Sequence, residues 1–283
     1  MGWIKLKNLP GQKVDSQSYS FNYWKIEDNY VWHQERKLSK ADPETFEVRE
    51  DHSQVFIARD KTHIYHAWTL NKDIDRDTFE EVGNGYWRDC HLAYCEHETS
   101  IKPLKGEDSN NFKFIGGPYA RDSVFAYYGG RVLKNCKSPL DLEMITKNNC
   151  WYVGDGQSIY YDGAEIRGVD YSSWRWIDGG FSKDNNAIYF GSKKLPRPNI
   201  DGWKIVKGAY SSDGKNVYHM NFKVRGADPI TWEFLKNDYS KDQNNVYFCG
   251  RVVEGADPYS FMVTGERSGK DKLNNYNGSK TEA

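Results

Sequence analysis

Residues Tyr239–Phe261 read YSKDQNNVYFCGRVVEGADPYSF, and Tyr210–Trp232, 29 residues earlier, read YSSDGKNVYHMNFKVRGADPITW. The shared pattern is an Asp, three further residues, a β-branched or small residue, and a Tyr. Followed outward, it recurs at Asp184 with Ile188–Tyr189, Asp155 with Ile159–Tyr160 and Asp60 with Ile64–Tyr65. Weaker copies stand at Asp122 with Ala126–Tyr127 and at Asp89 with Ala93–Tyr94, and a first copy, Asp28 with Val31–Trp32, is one residue shorter. The eight anchoring aspartates are spaced 32, 29, 33, 33, 29, 29 and 29 residues apart. Fourteen residues after the aromatic of six units comes a second one: Phe46, Phe79, Trp174, Trp203, Trp232 and Phe261. The third and fourth units break this rule. A fixed step of this kind is the signature of a repeat architecture.

Each unit reads as strands and turns. Tyr239–Lys241 is a short strand ending at Asp242, whose side chain and following polar residues supply the chemistry of a hairpin turn. Val246–Phe248 is a return strand of β-formers, Gly250 breaks it, and Arg251–Val253 makes a third strand. In the GADPYSF segment Asp257 caps a single helical turn, Pro258 fits its first position, and Phe261 points to the core. The fold expected is therefore all-β. About eight β-hairpin repeats of 29–33 residues with short helical turns form a curved or solenoid-like array, favoured over a closed ring. At this length a unit is too short for a four-stranded propeller blade. The repeats span 24–264 as one domain, 1–23 reads as an N-terminal cap, and the polar 265–283 reads as a flexible C-terminal tail.

Composition narrows the function classes. The chain has 283 residues, 38% hydrophobic and 28% charged, which fits a globular protein rather than a disordered one. A net charge of −1 gives no general attraction to nucleic acid or membranes, and no stretch reaches membrane-spanning length. The balance conceals an asymmetry: from Asp28 to Asp108 there are 18 acidic against 11 basic residues, leaving an excess of six positive charges elsewhere. The N-terminus lacks a secretory apolar run, and the five cysteines are odd in number without framework spacing. Reduced thiols in the cytoplasm are the expectation.

Candidate chemistry yields to the repeat. Asp73, Asp75 and Asp77 alternate like calcium ligands, but the Gly and Glu of an EF-hand loop are replaced by Thr78 and Asn84. The stretch aligns better with Asp42–Phe46 of the preceding unit. Cys90, His91, Cys95 and His97 lie within eight residues, yet their spacing is not that of paired zinc knuckles. They read as thiols and a surface histidine, with no metal. No nucleophile elbow, zincin motif or phosphate loop occurs, and equivalent turn carboxylates make a poor acid–base dyad. An enzyme is not expected, nor a cofactor. Lys183, Lys193, Lys194, Arg197, Lys204, Lys207 and Lys215 gather without a nucleic-acid-binding motif.

The phrases SKDNNAIYFG, SDGKNVYHM and SKDQNNVYFCG, each followed by GADPxSF-like text, resemble the DKNYY family of bacterial repeat proteins. The resemblance is strong over Tyr160–Phe261 and extends back to Trp24. It implies a bacterial source and supplies no catalytic residues. In style the chain is similar to immunity proteins, which neutralise a toxin by covering its active surface. The expected partner is a cognate toxin with a basic effector domain, and a carbohydrate-binding or envelope repeat protein is the alternative. Scaffold chemistry does not require the residues that depart from the repeat, so those form the candidate partner-binding set: Trp68, Asp73, Asp75, Asp77, Trp87, Arg88, His91, Glu96, His97 and Glu98. Exposed Trp and Arg anchors are the commonest interface hot spots. The Ile101–Asn111 stretch reads as a longer loop beside them.

Overall fold

The aspartate that ends each opening strand closes the unit. The computed structural model describes residues 2–8, 24–49, 56–98, 100–106, 108–147 and 151–281. In it, Asp242 lies buried between the strands Tyr239–Lys241 and Val246–Phe248. Its Oδ1 accepts the N–H groups of Asn244 and Asn245, each at 2.8 Å. Its Oδ2 accepts the Tyr247 hydroxyl and the Asp228 N–H, also at 2.8 Å. The same Tyr-to-Asp bond recurs from Tyr65–Asp60 to Tyr276–Asp271, at 2.6–3.0 Å throughout. A carboxylate survives burial here because donors surround it. Burial alone would raise the Asp213 carboxyl, but the Asn199 N–H and the donors of its own turn outweigh it and hold the group at about 2. The partner phenols move oppositely, with burial and then the neighbouring carboxylate raising Tyr218 and Tyr247.

A second tyrosine links consecutive units. Tyr210, on the opening strand of the seventh unit, donates to the Asp238 carbonyl of the eighth at 3.0 Å, and Tyr239 donates to Arg267 of the next at 2.7 Å. Tyr86 and Tyr152 make the corresponding bonds to Pro118 and Gly180, at 2.7 and 3.0 Å. The helical-turn aromatic packs under these rings, with Phe261 5.2 Å from Tyr239 and Trp232 5.0 Å from Tyr210. Each unit thus buries its apolar face against a neighbour, as a repeat too small for its own core must.

The sheets hold one strand more than the sequence reading gives. Met262–Val263, the residues that end one repeat, pair with Ser268–Lys270, which pairs in turn with Asn275–Asn277 and Lys280–Thr281. Most strands have only two to four residues, so four fit where longer strands could not. The result is all-β: among the described residues there are nine small antiparallel sheets, most of four strands in sequential order. Helix among the described residues is limited to the single 3-10 turns Leu6–Asn8, Ser109–Asn111 and Pro139–Asp141. Among the described residues no helix is long and apolar enough to cross a membrane.

Three boundaries differ from the sequence reading. The segment 265–283, read as a tail, carries three strands of a ninth unit, with Tyr276 fully buried on Asp271. Asn275 in place of the β-branched residue hides that copy from the pattern. Trp3–Lys5 of the expected cap pairs with Glu47–Arg49 as the edge of the second unit's sheet, while residues 9–23 lie outside the described residues. Finally, the chain divides into two compact bodies, Met1–Met144 and Ile145–Ala283, across the single domain read over 24–264.

Candidate functional site

The candidate residues belong to the first body, in the second and third units. Hairpins of the repeat turn on a left-handed residue, followed by Gly in the fourth, fifth and eighth units, as in Cys249 (φ 48°) and Gly250 (φ 72°), and by Ser192 or Asn221 in the sixth and seventh. A side chain at Gly250 would place its Cβ 2.7 Å from the Cβ of His219 in the preceding unit. The second unit instead turns on Ala67 (φ 50°) followed by Trp68. The Trp68 ring lies 5.8 Å from that of His33 in the preceding unit and remains 42% exposed. Over it sits the Arg36 guanidinium, 4.2 Å from the ring centroid. An aromatic body capped by a cation is a typical contact anchor.

The third unit lengthens the same hairpin. In the second unit Tyr65 pairs with Leu70, whereas in the third Tyr94 pairs with Pro103, Cys95 with Lys102, Glu96 with Ile101 and His97 with Ser100. Four extra residues form two extra pairs and a turn that presents Glu98. The Ile101–Asn111 stretch, read as a loop, is thus the returning strand followed by a capped 3-10 turn. The insertion also explains the broken spacing. Phe112, 18 residues after Tyr94, is buried and takes the place of the missing second aromatic. Asp108 takes the cap position, accepting the Asn111 N–H at 3.2 Å.

The structure divides the candidate set. Asp73, Asp77, His91, His97 and Glu98 are exposed. Trp87 is fully buried, stacked on Phe79 at 4.8 Å and 6°, with its indole N–H on Glu96 at 3.2 Å. It is therefore core and not a contact residue: its place on the strand Tyr86–Arg88 faces inward, which the sequence pattern in this divergent unit does not reveal. Glu96 is held by that indole and lies 3.5 Å from His66 Nε2, with only 11% of its side chain exposed. Arg88 is fixed to Glu80 at 2.6–2.7 Å. Asp75 caps a turn, its Oδ1 accepting the N–H groups of Asp77 and Thr78 at 3.1 and 3.0 Å. Hydrogen bonding to Thr78 holds its carboxyl below the usual range. The four-residue zinc reading dissolves as well, because Cys95 is buried on the strand and does not join Cys90 and His91 among the described residues.

What remains in the second and third units is a set of exposed acids and histidines and one half-exposed Trp, in the more acidic part of the chain. It offers charge and anchors for another macromolecule. Sequence reasoning missed Arg36, whose position carries no signal until the turn folds it over Trp68. It also missed the buried histidine beneath: burial, and then the neighbouring His66, push the His33 imidazole down to about 4.

Comparison with known proteins agrees with the repeat pattern. The profile described as the DKNYY family matches residues 23–164 and again 152–280. No curated protein matches the chain, and no solved structure does.

Proposed function

We propose that this chain, a member of the DKNYY family, is a non-enzymatic bacterial immunity module that acts in the cytoplasm by binding a cognate toxin and occluding its active surface. The observation that carries this reading is the departure of the second and third units from their repeat. Trp68 occupies a turn position that the fourth to ninth units give to a small or polar residue (Gly130, Gly163, Ser192, Asn221, Gly250 and Ser279), and the lengthened hairpin adds Glu96, His97 and Glu98. Exposed acids at Asp73, Asp77 and Glu98 suit a basic effector domain, with charge speeding encounter and Trp68 slowing release. The test is co-expression with the toxin domain encoded beside this chain's gene, followed by affinity capture. Growth rescue with a captured complex is expected, and Glu98→Lys or Trp68→Ala should weaken capture about tenfold or more. A toxin neither captured nor neutralised rejects the proposal.

A carbohydrate-binding reading has one feature in its favour. In the second body Tyr171, Trp174 and Trp176 line an open cavity of about 440 Å³ together with Lys147 and Arg175. Aromatic faces with flanking polar groups suit sugar rings. Binding to a glycan array that is lost in Trp176→Ala would favour it over the toxin reading, and an array without hits removes it.

A further inference from the structure

In the second, fourth and eighth units the side chain after the anchoring Asp meets the cap carboxylate of the helical turn before it. Lys61 Nζ lies 3.0 Å from Asp42 Oδ2, and Gln243 Nε2 donates to Asp228 Oδ2 at 3.1 Å. Ser123 makes the same contact with Asp108. The backbone fixes this arrangement: Lys61 and Gln243 donate their N–H groups to Thr45 and Thr231 Oγ1, both at 3.2 Å. In the third unit the Cys90 N–H likewise donates to Thr78 Oγ1 at 2.9 Å, so Cys90 is held over Asp75. His91 follows, its N–H on Asp89 Oδ1 at 2.8 Å. A ligand atom from each of Asp75, Cys90 and His91 lies within 4.8 Å of the other two.

The cap itself is altered to match. In Asp42, Asp228 and Asp257 the turn's hydroxyl donates to Oδ2, at 2.9, 2.8 and 2.6 Å. Thr78 donates instead to Asp75 Oδ1 at 2.8 Å, and among the described residues Oδ2 accepts no hydrogen bond. The usual cationic or amide partner is gone, a free carboxylate oxygen remains, and a thiol and an imidazole face it. Neither calcium nor the irregular four-residue zinc set accounts for this group, which takes one member from the first and two from the second.

We propose that Asp75, Cys90 and His91 bind one divalent ion of the zinc class. Sulfur and nitrogen donors select borderline metals over calcium or magnesium, and three protein ligands leave a position open to water or to an incoming side chain. The site stands whether or not the chain binds a toxin. Cobalt(II) titrated into the reduced full chain tests it, followed by zinc. Expected are one equivalent bound, with visible d–d absorption and a thiolate-to-cobalt charge-transfer band, and displacement by zinc. Cys90→Ser abolishes the sulfur band, while Cys136→Ser and Cys249→Ser leave it unchanged. Asp75→Asn, which keeps a cap acceptor, and His91→Ala each weaken cobalt binding about tenfold or more. Unfolding curves of the metal-free variants verify that each is folded. A wild-type chain without the sulfur band, a band that survives Cys90→Ser, or an Asp75 or His91 variant binding as tightly as wild type overturns the site.

Discussion

At the residue scale the fold rests, from the second unit to the ninth, on one carboxylate per unit and the hydroxyl that meets it. Asp242 takes four hydrogen bonds in a buried setting, one of them from Tyr247. Tyr247→Phe removes one and leaves the others, so a loss of about 1–2 kcal/mol is expected in urea unfolding. Asp242→Ala strands the phenol and three N–H groups together, and about 3–5 kcal/mol is expected. Equal losses would contradict the assignment. His33 gives a pH signature of the same sign as the aspartates, but in a higher pH window. Its folded imidazole titrates near 4 against about 6.5 unfolded, so the unfolded chain binds more protons between those values. Stability therefore falls as pH drops from about 6.5 to about 4, by on the order of 3 kcal/mol from this group alone. His66 and, through it, Glu96 are the titratable neighbours. His33→Phe, which copies Phe190 and Phe248 at the equivalent positions, should flatten that decline, as melting temperatures at pH 7 and pH 4.5 would register.

At the element scale the hairpin turn decides what a unit can carry. Gly250 has φ 72° and its missing Cβ makes room for His219, so Gly250→Ala meets both strain and collision. Gly255, at φ 77°, has no atom near that position. Gly255→Ala should cost about 1 kcal/mol and Gly250→Ala at least about twice that, compared by thermal unfolding. Much of this level was legible in the sequence. Asp and Asn fixed the turns, alternate β-formers fixed the strands, and the aromatic 14 residues on fixed the cap. The first strand of each sheet was hidden because two residues such as Met262–Val263 carry no period. The lengthened hairpin was hidden too, since Cys95–His97 reads as a disturbed turn until Phe112 restores the register.

At the scale of the whole molecule, repeated residues hold the scaffold and departures carry the candidate surface. Trp68, Asp73, Asp77, His91, His97 and Glu98 are exposed, whereas Trp87 lies in the core and Glu96 is held against it. A departure alone does not say which way a side chain points; burial against Phe79 decides that. The ninth unit extends the same logic, because Tyr239 donates to Arg267 and Gly278 carbonyls at 2.7 and 3.0 Å. Deleting residues 266–283 strips both and uncovers Phe261, so a lower melting temperature is expected; an unchanged one would return that segment to the status of a tail. The most direct test of the division is the calorimetric affinity of wild type, Trp68→Ala and Tyr247→Phe for the proposed toxin partner, each paired with its melting temperature. Trp68→Ala should bind about tenfold or more weakly at nearly unchanged stability, and Tyr247→Phe should melt lower while binding as wild type does. A Trp68→Ala chain with full affinity, or a Tyr247→Phe chain that folds normally but no longer binds, would contradict it.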